Sequence, residues 1–170
     1  MNHPHHLVFV CIGNRNRSPF AEFFFSKLIS QRDKQLVDRI SVISAGFMPQ
    51  RMKDKMAILK IGAPNPFFGR TLPQATRTVL LRHGIKVPDV WRSQELTPEL
   101  VDRAELIITA LPDQKNDIAR LYPKVADIIF TIRERSQWEG YLLQEDYDFN
   151  KSPRDGSLWS YVEENFDYVA

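Results

Sequence analysis

"VFVCIGNRNRSP", residues 8 to 19, carries the reading from which the rest of the chain follows. Leu7 to Cys11 is a continuous apolar run that ends in a Gly/Asn/Arg-rich stretch. A run that is apolar at every position reads as a strand buried on both faces, as in a parallel sheet. From Pro19, "PFAEFFFSKLIS" reads as a helix, with proline in its first turn and Ser18 just before it as a start signal. Strand, tight polar loop, helix is an arrangement that binds anions. Backbone N–H groups of Ile12, Gly13, Asn14, Arg15, Asn16 and Arg17 can curl around one phosphate, and the helix N-terminus adds roughly half a positive charge. Gly13 and Asn14 tolerate the left-handed backbone that such a curl needs. Arg17 supplies a planar fork for two oxygens.

The same field acts on Cys11. Helix N-termini and nearby cations bring cysteine pKa values down to about 3.5 to 7.5. Cys11 would then be a thiolate facing the bound phosphorus, placed for in-line attack, with Ser18 donating a hydrogen bond to the sulfur. A lone cysteine at a strand end is more often a small buried hydrophobe. Against that, an arginine six residues on with Ser or Thr next arises by chance in roughly one case in two hundred at average residue usage. Nucleophile, anion cradle and guanidinium clamp converge on one loop, which favours catalysis.

Working outward, "RISVISAG" (39–46) reads as a second strand, "ELIITA" (105–110) as a third and "ADIIFTI" (126–132) as a fourth. Helices are expected over 72–84, with Leu72, Ala75, Val79 and Leu80 sharing a face and Gly84 stopping it. Others are expected over 97–104, with Thr97 as cap, and over 113–122, ending before Pro123. "SLWSYVEENFDYVA" (157–170) reads as a docked C-terminal helix. Strands alternating with helices predict an α/β fold, a parallel sheet flanked by helices with right-handed crossovers. Residues 47–71 and 133–156 are irregular, although Met52 to Ile61 has helical character. Ligands in such folds sit beyond the carboxyl ends of the strands, the edge where Cys11 lies.

Composition sets outer limits. The 170 residues suit a single domain, 1–170, with 43% hydrophobic and 26% charged residues as in a globular protein. A net charge of +2 gives no argument for nucleic acid or an acidic membrane as partner. No apolar stretch approaches the roughly 18 residues of a membrane span, and "MNHPHHLVFVCIG" lacks the cleavage pattern of a signal peptide. One cysteine makes no internal disulfide, so a reducing, cytoplasmic setting is expected. His3, His5 and His6 read as a frayed terminus rather than a metal site.

"VFVCIGNRNRSPFAE" closely resembles the phosphate-binding loop of the low-molecular-weight protein tyrosine phosphatases, whose signature is Cys, five residues, Arg, Ser. "ISAGF" (43–47) and "HGIKVPDVWRSQELTPELVDRAELIIT" (83–109) resemble further segments in order. The resemblance implies a flavodoxin-like, four-stranded parallel sheet, no metal and no cofactor. It implies cleavage of a phosphorylated protein or small aryl phosphate through a cysteinyl-phosphate intermediate. It also implies an aspartate general acid in a loop before the last helix, normally followed by proline. "QEDYDFNKSPRDGSLWSY" holds no Asp-Pro pair. Asp148 matches best by spacing, and Asp155 and Asp146 are the alternatives. Tyr147 and Phe149 would line the substrate cleft on one side and Phe47 or Met48 on the other, or simply pack.

Four positions depart from the family's pattern. Asn16 stands where a second cysteine is usual, which removes a protective disulfide. Arg15 replaces a small or apolar residue that helps to set substrate choice; it either puts a cation at the mouth that favours an acidic or doubly phosphorylated substrate or is a solvated side chain, and in both cases it argues against a plain phosphotyrosine specificity. Trp91 falls where some relatives carry a histidine that braces the loop through Asn14, and Leu111 where many carry aspartate; both changes are expected to remove a polar support. Two other functions compete with hydrolysis: a phosphate- or phosphopeptide-binding module that has lost its acid, and a cysteine phosphocarrier. The extra length within 47–71 is expected to form an altered cleft wall, a partner surface or an ordinary insertion.

Overall fold

The computed structural model describes residues 5–32, 34–58 and 68–132. Strand β1 (His5–Cys11) leads through the loop 12–16 into α1 (Arg17–Arg32) and the short α2 (Lys34–Val37). Then follow β2 (Ile40–Gly46), α3 (Gln50–Ile58), α4 (Gln74–Arg82), α5 (Pro98–Arg103), β3 (Ala104–Thr109), α6 (Pro112–Leu121) and β4 (Ile129–Thr131). A single 3-10 turn, Pro123–Val125, precedes β4. The four strands form one parallel sheet in the order β2-β1-β3-β4. The expected α/β, flavodoxin-like architecture is the one observed.

The sheet is covered on both sides because its strands are apolar on both sides. Leu7, Phe9, Ile40, Leu106 and Ile108 face α1, which packs Ala21, Phe25 and Ile29 against them. Val8, Val10, Ala45 and Ile107 face the other way, onto Val101 of α5, Ile118 of α6 and Val125. β1 is central and its residues 7 to 11 are at most 3% exposed, as its unbroken apolar run predicts. The phenylalanine run of α1 divides by helical spacing. Phe25 goes to the sheet, while Phe20, Phe23 and Phe24 pack with Trp91 against a third cluster of Leu72, Leu80, Ile85 and Val87.

Several local expectations are corrected. α1 begins at Arg17, so Ser18 lies inside its first turn and does not cap it. His5 and His6 are not frayed; they pair with Ile40 and Ser41 in β1, and His5 Nδ1 lies 2.5 Å from Glu105 Oε2. Within α4 only Leu80 is buried, and Ala75 and Val79 are exposed. The inner side of that segment is completed by Leu72 before the helix and by Ile85 and Val87 after it. Gly84, at φ 69°, ends α4 as expected. Thr97 caps α5, accepting from the Leu100 N–H at 3.3 Å.

The helix expected over Met52–Ile61 is α3, two residues earlier at its start. It buries no side chain, and is tied to α6 by the Gln50 N–H donating to Asp117 (2.7 Å) and by Arg51–Asp113 (3.5 Å). The C-terminal helix, the rest of 133–156 and much of the "GAPNPFFG" loop lie outside the described residues. Among the described residues no helix is long and apolar enough to cross a membrane.

Candidate active site

The strand order reverses at β1: β2 lies on one side of it and β3 on the other. A crevice opens beyond the carboxyl ends at such a switch point. Cys11 is the last residue of β1, and the next five residues fold over its sulfur before α1 begins. Asn14 takes the left-handed conformation (φ 49°), and Gly13 does not. Asparagine tolerates that backbone better than most residues, so the sequence named the right pair but the turn falls on its second member.

The sulfur is 3% exposed in residue terms and surrounded by donors. Ser18 Oγ donates to Cys11 Sγ at 3.0 Å. Burial pushes the thiol up, but the hydroxyl of Ser18 and the backbone N–H groups of Ser18, Arg15 and Asn14 outweigh it. The net shift holds the thiol below its ordinary value. These N–H groups, converging at the start of a helix, form a nest for negative charge. Arg17 opens α1, exposed at the rim.

The loop is braced from behind by side chains. Asn14, 0% exposed, donates through Nδ2 to Ser44 Oγ (2.7 Å) and Ser18 Oγ (3.1 Å). Its Oδ1 accepts from the Gln94 N–H at 2.9 Å. Ser44 belongs to β2, an edge strand, and its C=O accepts from Gln94 Nε2 at 2.9 Å. Ser44 Oγ in turn donates to Glu22 Oε2. Sequence reading missed Glu22 and Ser44. Their signal was a carboxylate four residues after Ser18 on the inner side of an otherwise aromatic helix.

The departures now have locations. Asn16, exposed, accepts from Thr76 Oγ1 at 2.7 Å and so ties the loop to α4. Arg15 is half-buried, and its Nε finds no hydrogen-bond partner. Trp91 does not remove a polar support as expected: its side chain hydrogen-bonds to Glu22. Leu111 precedes α6 and gives it no side-chain cap. Phe47 sits beside the site, its N–H donating to the Cys11 carbonyl and its own carbonyl accepting from Gln114 Nε2, both at 2.8 Å. Its ring packs against the second core cluster, with Lys53 Nζ 5.8 Å from the ring centre. Asp148, Asp146, Asp155, Tyr147 and Phe149 lie outside the described residues.

Gly46 shows how tightly the cradle is supported. A Cβ there would lie 3.1 Å from both Asn14 N and Ile12 O, and 2.5 Å from the Phe68 ring. The ring can turn away, but the loop backbone must shift by tenths of an ångström. Gly46→Ala should therefore lower kcat by about tenfold or more, since sub-ångström misplacement of transition-state donors is costly. Thermal unfolding and steady-state phosphate release, measured together, check this. An unaltered kcat would show that the loop does not depend on that close approach.

The sequence model of the family described as low molecular weight phosphotyrosine protein phosphatase matches residues 6–157. A probable low molecular weight protein-tyrosine-phosphatase, EpsP, of Ralstonia solanacearum is 31% identical over 133 residues, covering 78% of this chain and 74% of that protein. The protein-arginine-phosphatase of Bacillus subtilis is 31% identical over 128 residues, covering 75% and 70%. Among solved structures, the low molecular weight protein tyrosine phosphatase from T. tengcongensis superposes with a TM-score of 0.61 at 27% identity, covering 94% of this chain and 99% of that one.

Proposed function

The chain belongs to the low molecular weight phosphotyrosine protein phosphatase family, a family of hydrolases, and from that premise we propose that it cleaves an aryl phosphomonoester, on a phosphorylated protein or a small molecule, through a cysteinyl-phosphate. The Cys11 thiolate attacks phosphorus while the bond to the leaving oxygen breaks. Asp148 gives that oxygen a proton, and later takes one from the water that hydrolyses the phosphocysteine. Arg17 and the loop amides balance the charge on the three equatorial oxygens. Phe47 forms one wall of the cleft, and Tyr147 and Phe149 the other. Residues 1–170 act as one domain. The observation that carries the reading is the convergence of one hydroxyl and three backbone N–H groups on the Cys11 sulfur.

The substrate is the part on which the relatives divide, since one is named for tyrosine and another for arginine phosphatase activity. Arg15 supports the aryl ester. A cation on the loop disfavours a substrate that brings its own guanidinium, and suits an acidic phosphopeptide. The test is phosphate release by the reduced protein from an aryl phosphate and from phosphotyrosine and phosphoarginine peptides. Expected is turnover of the aryl ester that needs no added metal and is inhibited by vanadate. Asp148→Asn should slow it about a hundredfold; unchanged activity would move the acid to Asp155 or Asp146. Faster release from phosphoarginine would reassign the substrate. No turnover between pH 5 and 7, with phosphate still bound, would leave a binding module or, where phosphate passes between proteins, a cysteine phosphocarrier.

A further inference from the structure

No step of the reaction uses α3, although the helix stands at the rim of the site. It follows Phe47, whose N–H donates to the Cys11 carbonyl at 2.8 Å, and Lys53 returns to set its ammonium 5.8 Å from the Phe47 ring centre. The helix does little for the fold. It buries no side chain; Met56 alone of its nine residues is half-buried, and the rest are exposed. Its ties to α6 are polar and lie in its first turn, from the Gln50 N–H to Asp117 at 2.7 Å and from Arg51 to Asp113 at 3.5 Å. Nor does its sequence suit a free-standing helix. Helices shorter than roughly 12 to 15 residues are marginal in water. The first turn carries Arg51 and no acidic residue, against the helix dipole. A pattern that serves neither packing nor propensity is best explained by what it meets.

What α3 presents is positive charge beside adaptable apolar surface. Arg51, Lys53 and Lys55 stand against one carboxylate, Asp54, which already accepts from Gln50 Nε2 at 2.7 Å. Three cations and one carboxylate leave an excess of two positive charges on this one helix, equal to the +2 of the whole chain. The facing carboxylates of α6 offset little of it. Asp117 is shared with Arg120 at 2.8 Å, and the Arg51–Asp113 pair is open to water, 89% and 51% exposed. Among the described residues neither Lys53 nor Lys55 is in an ion pair. Arg51, Lys55 and Ile58 recur at i, i+4 and i+7 and so share a face, with Met52 and Met56 on the next. Ile58 is 80% exposed and Met52 38%, and methionine shapes itself to varied partners.

We propose that α3 is a docking surface for the protein substrate: its cations take an acidic segment that lies outside the phosphorylated residue, and Met52, Met56 and Ile58 take an apolar side chain within that segment. The proposal rests on the phosphatase reading and names the kind of protein on which the site acts. Charge complementarity of this sort speeds encounter and selects partners more than it deepens affinity. A small aryl phosphate carries no such segment and gains nothing from it.

The experiment compares kcat/KM for a small aryl phosphate and for phosphotyrosine peptides whose flanking segment is acidic, neutral or basic, in the wild type and in the Arg51→Glu, Lys55→Glu double variant. An exposed ion pair contributes up to about fivefold. The acidic peptide should therefore lead the neutral one by about tenfold at low salt, and the lead should fade as salt screens it. The double variant should erase that lead through KM, favour the basic peptide instead, and leave the aryl phosphate within about twofold. Thermal unfolding checks that it folds; should it not, Lys55→Glu alone carries the test, with a loss of about threefold on the acidic peptide. A wild type with no acidic preference, or a preference that survives in the folded variants, would overturn the proposal and leave the phosphatase reading intact. An equal loss on the aryl phosphate would also overturn it, since that marks a general field and not docking. If the wild type does not hydrolyse even the aryl phosphate, the proposed function falls and takes this proposal with it.

Discussion

Cys11→Ser should abolish turnover of an aryl phosphate, lowering kcat by at least about 10⁴-fold, as removal of a covalent nucleophile does elsewhere. The surroundings of the sulfur say why serine is no substitute. One hydroxyl and three N–H groups bring a thiol below its ordinary range, but a serine hydroxyl starts many units higher and stays protonated under the same donors. The proposed anion cradle is backbone together with Arg17, neither of which the substitution touches. Phosphate binding should therefore survive within a few-fold, measurable by calorimetry. The sign of the pH effect follows from the lowered thiol: the thiolate is present above its depressed pKa, so wild-type alkylation should stay fast as pH falls below about 8.5. Residual turnover within a hundredfold of wild type would mean that water, not sulfur, attacks phosphorus.

What was legible in the sequence was whatever a single local pattern controls. The unbroken apolar run 7–11, bounded by a turn-rich segment, reads as an inner strand of a parallel sheet, and the switch from that run to Pro19 located the loop and the helix after it. Cys11, Arg17 and Ser18 were legible because a nucleophile, a clamp and a hydroxyl within eight residues need no long-range contact to be recognised.

The supports were not legible, because they come from distant segments. Ser44 lies on β2, Gln94 beside an isolated bridge to Gly46, and Trp91 after the third apolar cluster. Only the folded chain brings them to Asn14 and Glu22. Trp91 misled for a physical reason: set against the histidine of some relatives it looked like the loss of a polar brace, whereas its indole N–H is a donor. Val79 misled in the opposite way. A helical stripe drawn through 72–80 assigns it inward, but α4 is so short that one side chain, Leu80, suffices to dock it.

Arg17→Lys should cost about 10³-fold in kcat with little loss of stability. Arg17 is exposed and is the first residue of α1, a helix with no acidic residue in its first turn. A cation there opposes the helix dipole, by about 0.3 to 1 kcal/mol at an exposed end. An arginine that breaks the local rule is best explained by what it does for a ligand. Lysine keeps the charge and the position but loses the planar fork, so it can offset the net charge of a bound phosphate without holding two equatorial oxygens at once. Ground-state phosphate binding should then weaken by only about tenfold. The larger loss should fall on kcat, because the oxygens spread towards a plane only in the transition state. Surface changes of this kind alter stability by about half a kcal/mol at most, so thermal unfolding separates lost chemistry from lost structure. If kcat of Arg17→Lys stayed within tenfold of wild type, charge alone would suffice and the bidentate role would be wrong. If kcat and phosphate affinity fell together by the same factor, Arg17 would be a binding residue with no preference for the transition state.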